Sequence, residues 1–529
     1  MKPKHESTGR HAFLVAAGIL LSRLMGLVRL RVFSHYFGLL PQADAFNAAF
    51  RIPNFLQNLF GEGVLSASFI PVYAALLAQK DEEEAGRVAG AVAAILALVT
   101  SGLVLLGVLA TPYLIDVIAP GFAGDQRALT IRLVRILFPG AGCLVLSAWC
   151  LGILNSHRKF FLSYTAPVIW NLVMIATLLL YGGRRDLERL AVLLAWGSVA
   201  GSALQFGVQL PPVLRMARRL RLSLDAHLQN VRTVIGNFVP VFISRGVVQI
   251  SAYVDTLLAS YLPAGALAGL SNAQLLYTLP VSLFGMSVSA AELPAMSSAL
   301  GDAPQVADYL RRRLDAGLRQ IAFFIVPSAV AFLALGDLVA GAVLQTGRFT
   351  RADSVYVWGI LAGSTVGLLA TTLGRLYSST YYALRDTRTP LRYAIVRVSL
   401  TTALGYLAAL RLPGWIGIDA SWGAAGLTAS AGVAGWVEFT LLRRGLNRRI
   451  GRTGLSPAYL ARLWLAALLA AAAAWGAKLV LGTHRPILAG LLTLGPYGLL
   501  YFALTFVWGV EESRAMLGRV ARLPSRQAA

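Results

Sequence analysis

The sequence predicts an all-α, polytopic membrane fold of 14 transmembrane helices, on three observations. Apolar segments recur along almost all of its 529 residues, of which 57% are hydrophobic and 13% charged. A mean hydropathy of +0.66 leaves too little polar surface for a soluble protein of this length. The basic residues gather in short runs between apolar segments, mostly on alternate connections.

Segments long enough to cross about 30 Å of hydrocarbon at about 1.5 Å per residue fall at 12–34, 44–79, 88–111, 128–155, 161–181, 190–212, 233–261, 273–300, 320–345, 353–383, 393–410, 421–442, 459–481 and 487–510. The second, eighth and tenth are long enough to be tilted or broken. With the N-terminus inside, the six inward loops hold 21 Lys and Arg, the two tails seven more and the seven outward connections eight. That bias predicts an even number of spans with both termini cytoplasmic. One outward loop, residues 184–189, runs against the trend, but its charges alternate in sign.

A net charge of +23 would suggest nucleic acid in a soluble chain. Here the cations orient the spans, and no nucleic-acid partner is implied. The N-terminal MKPKHESTGRH leads into an apolar segment with no small-residue cleavage site, which reads as a retained first span. Cys143 and Cys150, seven apart in one apolar segment, supply neither a disulfide framework nor a metal site and read as buried thiols. His5, His11, His35, His157, His227 and His484 show no metal-ligand spacing. There is no phosphate-cradling loop, nucleophile elbow or acidic loop for a divalent cation. The chain is therefore expected to be neither an enzyme nor a nucleotide-driven pump, and to need no cofactor.

An internal repeat is visible. Leu59-Phe60-Gly61 followed by Pro71 recurs as Leu283-Phe284-Gly285 followed by Pro294, and Ser22-Arg23 recurs as Ser244-Arg245. The offsets of 224, 223 and 222 residues pair helices 1–2 with helices 7–8. Both copies follow an even number of spans, so the repeat is parallel, about an axis along the membrane normal. The expected organisation is an N-terminal lobe at 1–212, a pseudo-symmetric second six-helix lobe at 213–452, and two further helices with a basic tail at 453–529.

Charge at membrane depth marks the candidate site. Between His11 and Lys80 the charged side chains are Arg23, Arg29, Arg31, Asp44, Arg51 and Glu62. An arginine near a membrane midplane costs at least about 2.5–3.5 kcal/mol, so these residues need a wet or paired surface. At about 100° per residue Arg23 and Arg29 are about 120° apart on the helical wheel. Both are expected to face a cavity, with Arg31 either beside them or an interfacial anchor. Asp44 is either a helix N-cap or a partner and gate for an arginine. Arg51 precedes the Pro53 bend and is expected to face the cavity. Glu62, between Gly61 and Gly63, is either an ion-pair partner or a protonated acid. Arg245 either pairs with Asp255 structurally or joins Arg23 in clamping a multiply charged ligand.

SRLMGLVR (22–29), ADAFNAAFRIPN (43–54), FGEGVLSASFIPVYA (60–74), APGF (119–122), ILFP (136–139), the Ala166-Pro167 and Asn171 pattern, GRFT (347–350) and YYALRDTRTPLR (381–392) resemble the MurJ/MviN family of lipid II flippases, in the MOP exporter superfamily. The resemblance implies a MATE-like pair of lobes in the bacterial inner membrane. These would carry undecaprenyl-diphosphate-linked disaccharide-pentapeptide to the outer leaflet by alternating access, for peptidoglycan synthesis. It implies that helices 13 and 14 form a groove for the lipid tail and that Arg23, Arg29, Asp44 and Glu62 are functional. The expected partners are lipid II and membrane lipids, with the cell-wall synthesis machinery a further candidate that the sequence does not identify. Family members commonly carry an Arg pair where this chain has Gln57-Asn58, and many an Arg where it has Leu275. Arg51 and Arg245 are expected to supply the replacement charge. Arginine is the natural ligand for a diphosphate in a poorly solvated cavity, because its planar fork grips two oxygens at once. The rival readings are an exporter of another lipid-linked oligosaccharide and a membrane glycosyltransferase using the same carrier; the latter lacks an acidic loop. The driving force, membrane potential or a coupled cation, is not legible.

Overall fold

The computed structural model describes residues 6–522 apart from 184–185, 218, 226, 299–301 and 482–484. The side chains of 6–17, 19, 62, 243–252, 481 and 517–522 also lie outside the description. In chain order the helices are α1 (Glu6–Phe37), α2 (Pro41–Phe60), α3 (Glu62–Ser68), α4 (Ile70–Ala78), α5 (Glu82–Ile118), α6 (Gly124–Ser156), α7 (Phe160–Tyr181), α8 (Leu187–Met216), α9 (Gln229–Ser260) and α10 (Ala266–Pro280). They continue with α11 (Ser287–Ser297), α12 (Ala303–Leu344), α13 (Arg351–Ala383), α14 (Arg388–Tyr406), α15 (Leu412–Ile416), α16 (Gly423–Ile450), α17 (Pro457–Leu481), α18 (Pro486–Val507) and α19 (Glu511–Arg522). No strand occurs among the described residues.

Twelve stretches among the described residues are long and apolar enough to cross a membrane. The other two expected spans, 12–34 and 233–261, fall on α1 and α9, each 32 residues long, whose side chains lie partly outside the description. Fourteen spans is accordingly a proposal that rests on these two helices.

The second expected span is broken, as its length allowed. Proline at the first position of α2 supplies a helical φ where no N–H is needed. The helix stops at Gly61, where a Cβ would meet the Gln57 carbonyl oxygen at 2.1 Å. Pro71 then opens α4 within its first turn. The eighth span is interrupted by a π turn at Val281–Met286. Both copies of the Leu-Phe-Gly repeat thus sit at a backbone irregularity, one ending α2 and one inside the π turn. The tenth span runs unbroken as α13, its start fixed by a capping box between Thr350 and Asp353.

The described chain divides into two compact units, Met1–Ala268 with Thr346–Phe349, and Gly269–Gln345 with Thr350–Ala529. In the first unit α6 packs on α2, α5 and α8, and α7 on α1 and α8. Its interior joins Phe33, Phe37 and Phe46 to Leu133, Phe138 and Trp149. In the second unit α13 lies against α12 and α16, and α17 and α18 both pack on α12. Pro327 inside α12 removes the donor for the Phe323 carbonyl four residues back. The Tyr501 hydroxyl of α18 donates to that carbonyl at 2.7 Å, and Tyr497 donates to Pro327 O at 2.7 Å. Large apolar side chains cover the outside of both units, among them Leu105, Leu109, Leu180, Leu499 and Val507. A bilayer covers such a surface without cost.

Candidate functional site

Arg29 points into the first unit. Its guanidinium lies 4.6 Å from the Trp170 ring centroid and 5.9 Å from that of Phe50, and Nη1 donates to Met174 Sδ at 3.5 Å. Its Nε is buried and donates to no acceptor. Among the described residues no carboxylate pairs with it. Cation–π contact of this kind contributes about 0.5–2 kcal/mol, well short of the several kcal/mol that desolvating an ion costs. The position is therefore one the fold sustains at a cost, with one donor direction open.

Arg23 is exposed on α1, whose neighbouring exposed positions include Leu20, Leu21 and Leu24. Arg31 is half-buried. The wheel placed Arg23 and Arg29 on different arcs, and in this structure Arg29 alone of the two reaches the α7 aromatic wall.

Asp44 is buried in the first turn of α2, yet it caps a different helix. Oδ2 accepts from Gly265 N at 2.6 Å and Oδ1 from Ala268 N at 2.7 Å, at the start of α10. A carboxylate facing the unpaired N–H groups of a helix start is favoured both by hydrogen bonding and by the helix dipole. Asp44 thereby fastens α2 to a segment more than two hundred residues away.

Arg51 is held by α9. Its Nη1 donates to Thr256 Oγ1 at 2.5 Å, its carbonyl accepts from the Tyr253 hydroxyl at 3.0 Å, and its charge interacts with Asp255. Glu62 opens α3, and Arg245 lies on α9; the side chains of both are outside the described residues. Cys143 and Cys150 are free thiols, Cys150 buried.

Between α2, α3, α6, α7 and α8 the first unit has an open-mouthed cavity of about 610 Å³, lined by Gln57, Asn58, Ser66, Ser147, Gln205 and Gln209 among others. Gln205 donates to Ser147 Oγ at 3.0 Å and Ser147 to Gln209 Oε1 at 3.3 Å. A neutral chain of amides and hydroxyls at this depth suits hydroxyl- or amide-bearing ligand groups, which exchange hydrogen bonds without leaving a charge unpaired. The sequence reading noted Gln57 and Asn58 but missed Ser147, Gln205 and Gln209. The available signal was the one-turn spacing of Gln205 and Gln209 inside an apolar segment.

Asp386 proves to be part of a helix start. It accepts from Thr389 N and Thr389 Oγ1, and pairs with Arg449 at 2.7 Å. These partners hold its carboxyl down to about 2, the Thr389 hydrogen bonds first and the Arg449 charge after them.

Comparison with known proteins places this geometry. The family model described as "Lipid II flippase MurJ" matches residues 33–492. A probable lipid II flippase of Rhizobium tropici is 31% identical over 94% of this chain and 94% of the relative. That of Rhizobium meliloti is 30% identical over 93% and 92%. The lipid II flippase of Burkholderia cenocepacia is 30% identical over 83% and 84%. Among solved structures, a lipid II flippase in an inward closed conformation matches with a TM-score of 0.78 at 23% identity, over 94% of this chain and 98% of the other. A multidrug resistance MATE family transporter of the MOP superfamily, inward-facing, matches at 0.65 and 16% identity, over 83% and 98%. At those identities the two structures speak for the fold.

Proposed function

This chain belongs to the MurJ family of lipid II flippases, and on that premise we propose how it moves its substrate across the bacterial inner membrane. Lipid II carries a diphosphate between an undecaprenyl tail and a sugar–peptide head. The anionic centre is bound by Arg29, with Arg23, Arg51 and Arg245 contributing charge as the site closes. The neutral lining at Gln57, Asn58, Ser147, Gln205 and Gln209 receives the hydroxyl and amide groups of the head. The tail stays in lipid, along a groove formed by α17 and α18. Asp44 is the latch whose release from α10 accompanies the change of access, and Glu62 pairs with a cation in one state. The lobes are those of the repeat, 1–212 and 213–452, with both termini cytoplasmic and partners in the cell-wall synthesis machinery.

The observation that carries the site assignment is Arg29, a half-buried guanidinium on an aromatic wall whose buried Nε donates to no acceptor. No covalent chemistry is called for; the protein lowers the barrier to taking a charged head through hydrocarbon. The test is complementation of a strain depleted of its own flippase, scored by growth and by lipid II accumulating inside. The parent chain restores both. Arg29→Lys keeps the charge but loses the flat stacking face and the fork, and is expected to reduce transport at least about tenfold, as loss of one charge-assisted contact would. Full rescue by Arg29→Ala would overturn the site. Equal growth of Arg245→Ala and parent, with failure of Arg23→Ala, would remove Arg245 from it.

A further inference from the structure

The second unit holds an intramembrane charge cluster that the reading above leaves unused. Arg375 lies on α13, Arg397 on α14 and Glu438 on α16, each about 12–18 Å along its helix from the end joined by the Asp386–Arg449 pair. Arg397 Nε stands 3.2 Å from Glu438 Oε2. It is out of line for a hydrogen bond, and it is buried with no acceptor. Arg375 is exposed, makes no salt bridge among the described residues, and stands one turn beyond Thr371 on the same face of α13. The Tyr277 hydroxyl of α10 lies 2.9 Å from Thr371 Oγ1, one turn from Arg375.

Two cations and one anion leave this cluster with one excess positive charge inside a span. A purely structural pair in such a place would be neutral and would fill its donors, because an uncompensated ion among apolar groups is expensive. The surplus charge and the misaligned Nε leave donors and positive charge for one further anion. One guanidinium is then available, and a second is held by a carboxylate that an incoming phosphate can replace.

We propose that Arg375 and Arg397 form a second phosphate-binding site, for the phosphate group of a lipid, with Glu438 holding Arg397 until the anion arrives. Where that lipid is the transported one, the proposal rests on the flippase reading. The second unit then has its own grip on the diphosphate, and this offsets the neutral Gln57, Asn58 and Leu275.

The test is equilibrium binding of radiolabelled undecaprenyl diphosphate to the full chain in phosphatidylcholine nanodiscs, with inorganic diphosphate and phosphatidylglycerol as competitors. Arg375→Gln and Arg397→Gln are each expected to weaken binding about tenfold, and Glu438→Gln to tighten it severalfold by freeing Arg397. The double variant R397Q/E438Q, which leaves no unpaired charge of that pair, is expected to bind as weakly as R397Q. Parental binding by the double variant, or weakening by Glu438→Gln equal to that of Arg397→Gln, would show a structural pair and overturn the proposal. Loss of binding in Arg29→Gln with parental binding in both arginine variants overturns this site and leaves the flippase reading standing. If phosphatidylglycerol, labelled in its turn, binds and undecaprenyl diphosphate does not, and the arginine variants abolish the former, the site stands and the flippase reading fails. Binding of labelled inorganic diphosphate that both arginine variants abolish, with neither lipid bound, assigns the site to the free anion and overturns a lipid ligand.

Discussion

Asp44 shows what one side chain can decide. Its two oxygens each accept a backbone N–H at the start of α10. An amide in the same place can accept through only one atom and turns an NH₂ toward the other donor. Asp44→Asn is therefore expected to cost about 1–3 kcal/mol, read as a lower midpoint of thermal unfolding in detergent, and to lower flippase complementation with it. Unchanged midpoint and growth would mean that the carboxylate is not a latch. The pairing was beyond the sequence, since nothing in the residues around 44 points to residues 265–268. The anomaly of a carboxylate in an apolar stretch was legible; its partner was not. For Arg29 the charge and the arc were legible, whereas the aromatic wall on α7 depended on packing. His157 gives a pH prediction. Its Nε2 lies 3.1 Å from the Tyr73 hydroxyl, and burial lowers its pKa, with the Glu82 charge acting in the opposite sense. A depressed folded value means the contribution is present above the usual imidazole value of about 6.5 and lost as pH falls through the folded one. Thermal midpoints should drop between pH 7.5 and 5.5 in the parent, and drop less in His157→Gln.

At the scale of the element, the break in the second span could be anticipated from Gly61, Gly63 and Pro71, residues that interrupt helices for steric reasons. The π turn at 281–286 follows Pro280 and contains Gly285, a signal of the same kind that the sequence reading did not use. Length alone marked that span, and the same criterion marked the tenth, which is one continuous helix. Contact between α13 and α16 depends on small residues. A Cβ on Gly367 would meet Gly432 Cα at 2.4 Å, whereas one on Gly374 would meet only Leu442 Cδ1 at 3.8 Å. Gly367→Leu is thus expected to push the helices apart at a cost of about 2–4 kcal/mol, within the range for forced overpacking or cavity formation. Gly374→Ala on the same helix is expected to be neutral or to stabilise by up to about 1 kcal/mol, since alanine is the better helix former. Thermal unfolding of the two purified variants in one detergent compares them directly; equal midpoints would refute the packing account.

At the scale of the whole molecule, composition and spacing were enough for the fold class, because a chain that must satisfy every backbone group inside lipid has few choices. The sidedness proposed from the Lys and Arg runs is open to one labelling experiment. With Cys143 and Cys150 replaced, Leu222→Cys in the connection before α9 and Ile418→Cys before α16 both offer exposed positions. The charge bias predicts that an impermeant thiol reagent labels the residue 418 variant in intact spheroplasts and the residue 222 variant only after lysis. The reverse pattern would invert the molecule.

The hydroxyls of Tyr497 and Tyr501 make the last two helices part of how α12 is supported. With Pro327 standing in the ladder of α12, the carbonyl at Phe323 depends on a phenol lent by α18. A chain cut before α17 would strand an oxygen in oil, so the end of the sequence props the middle of it.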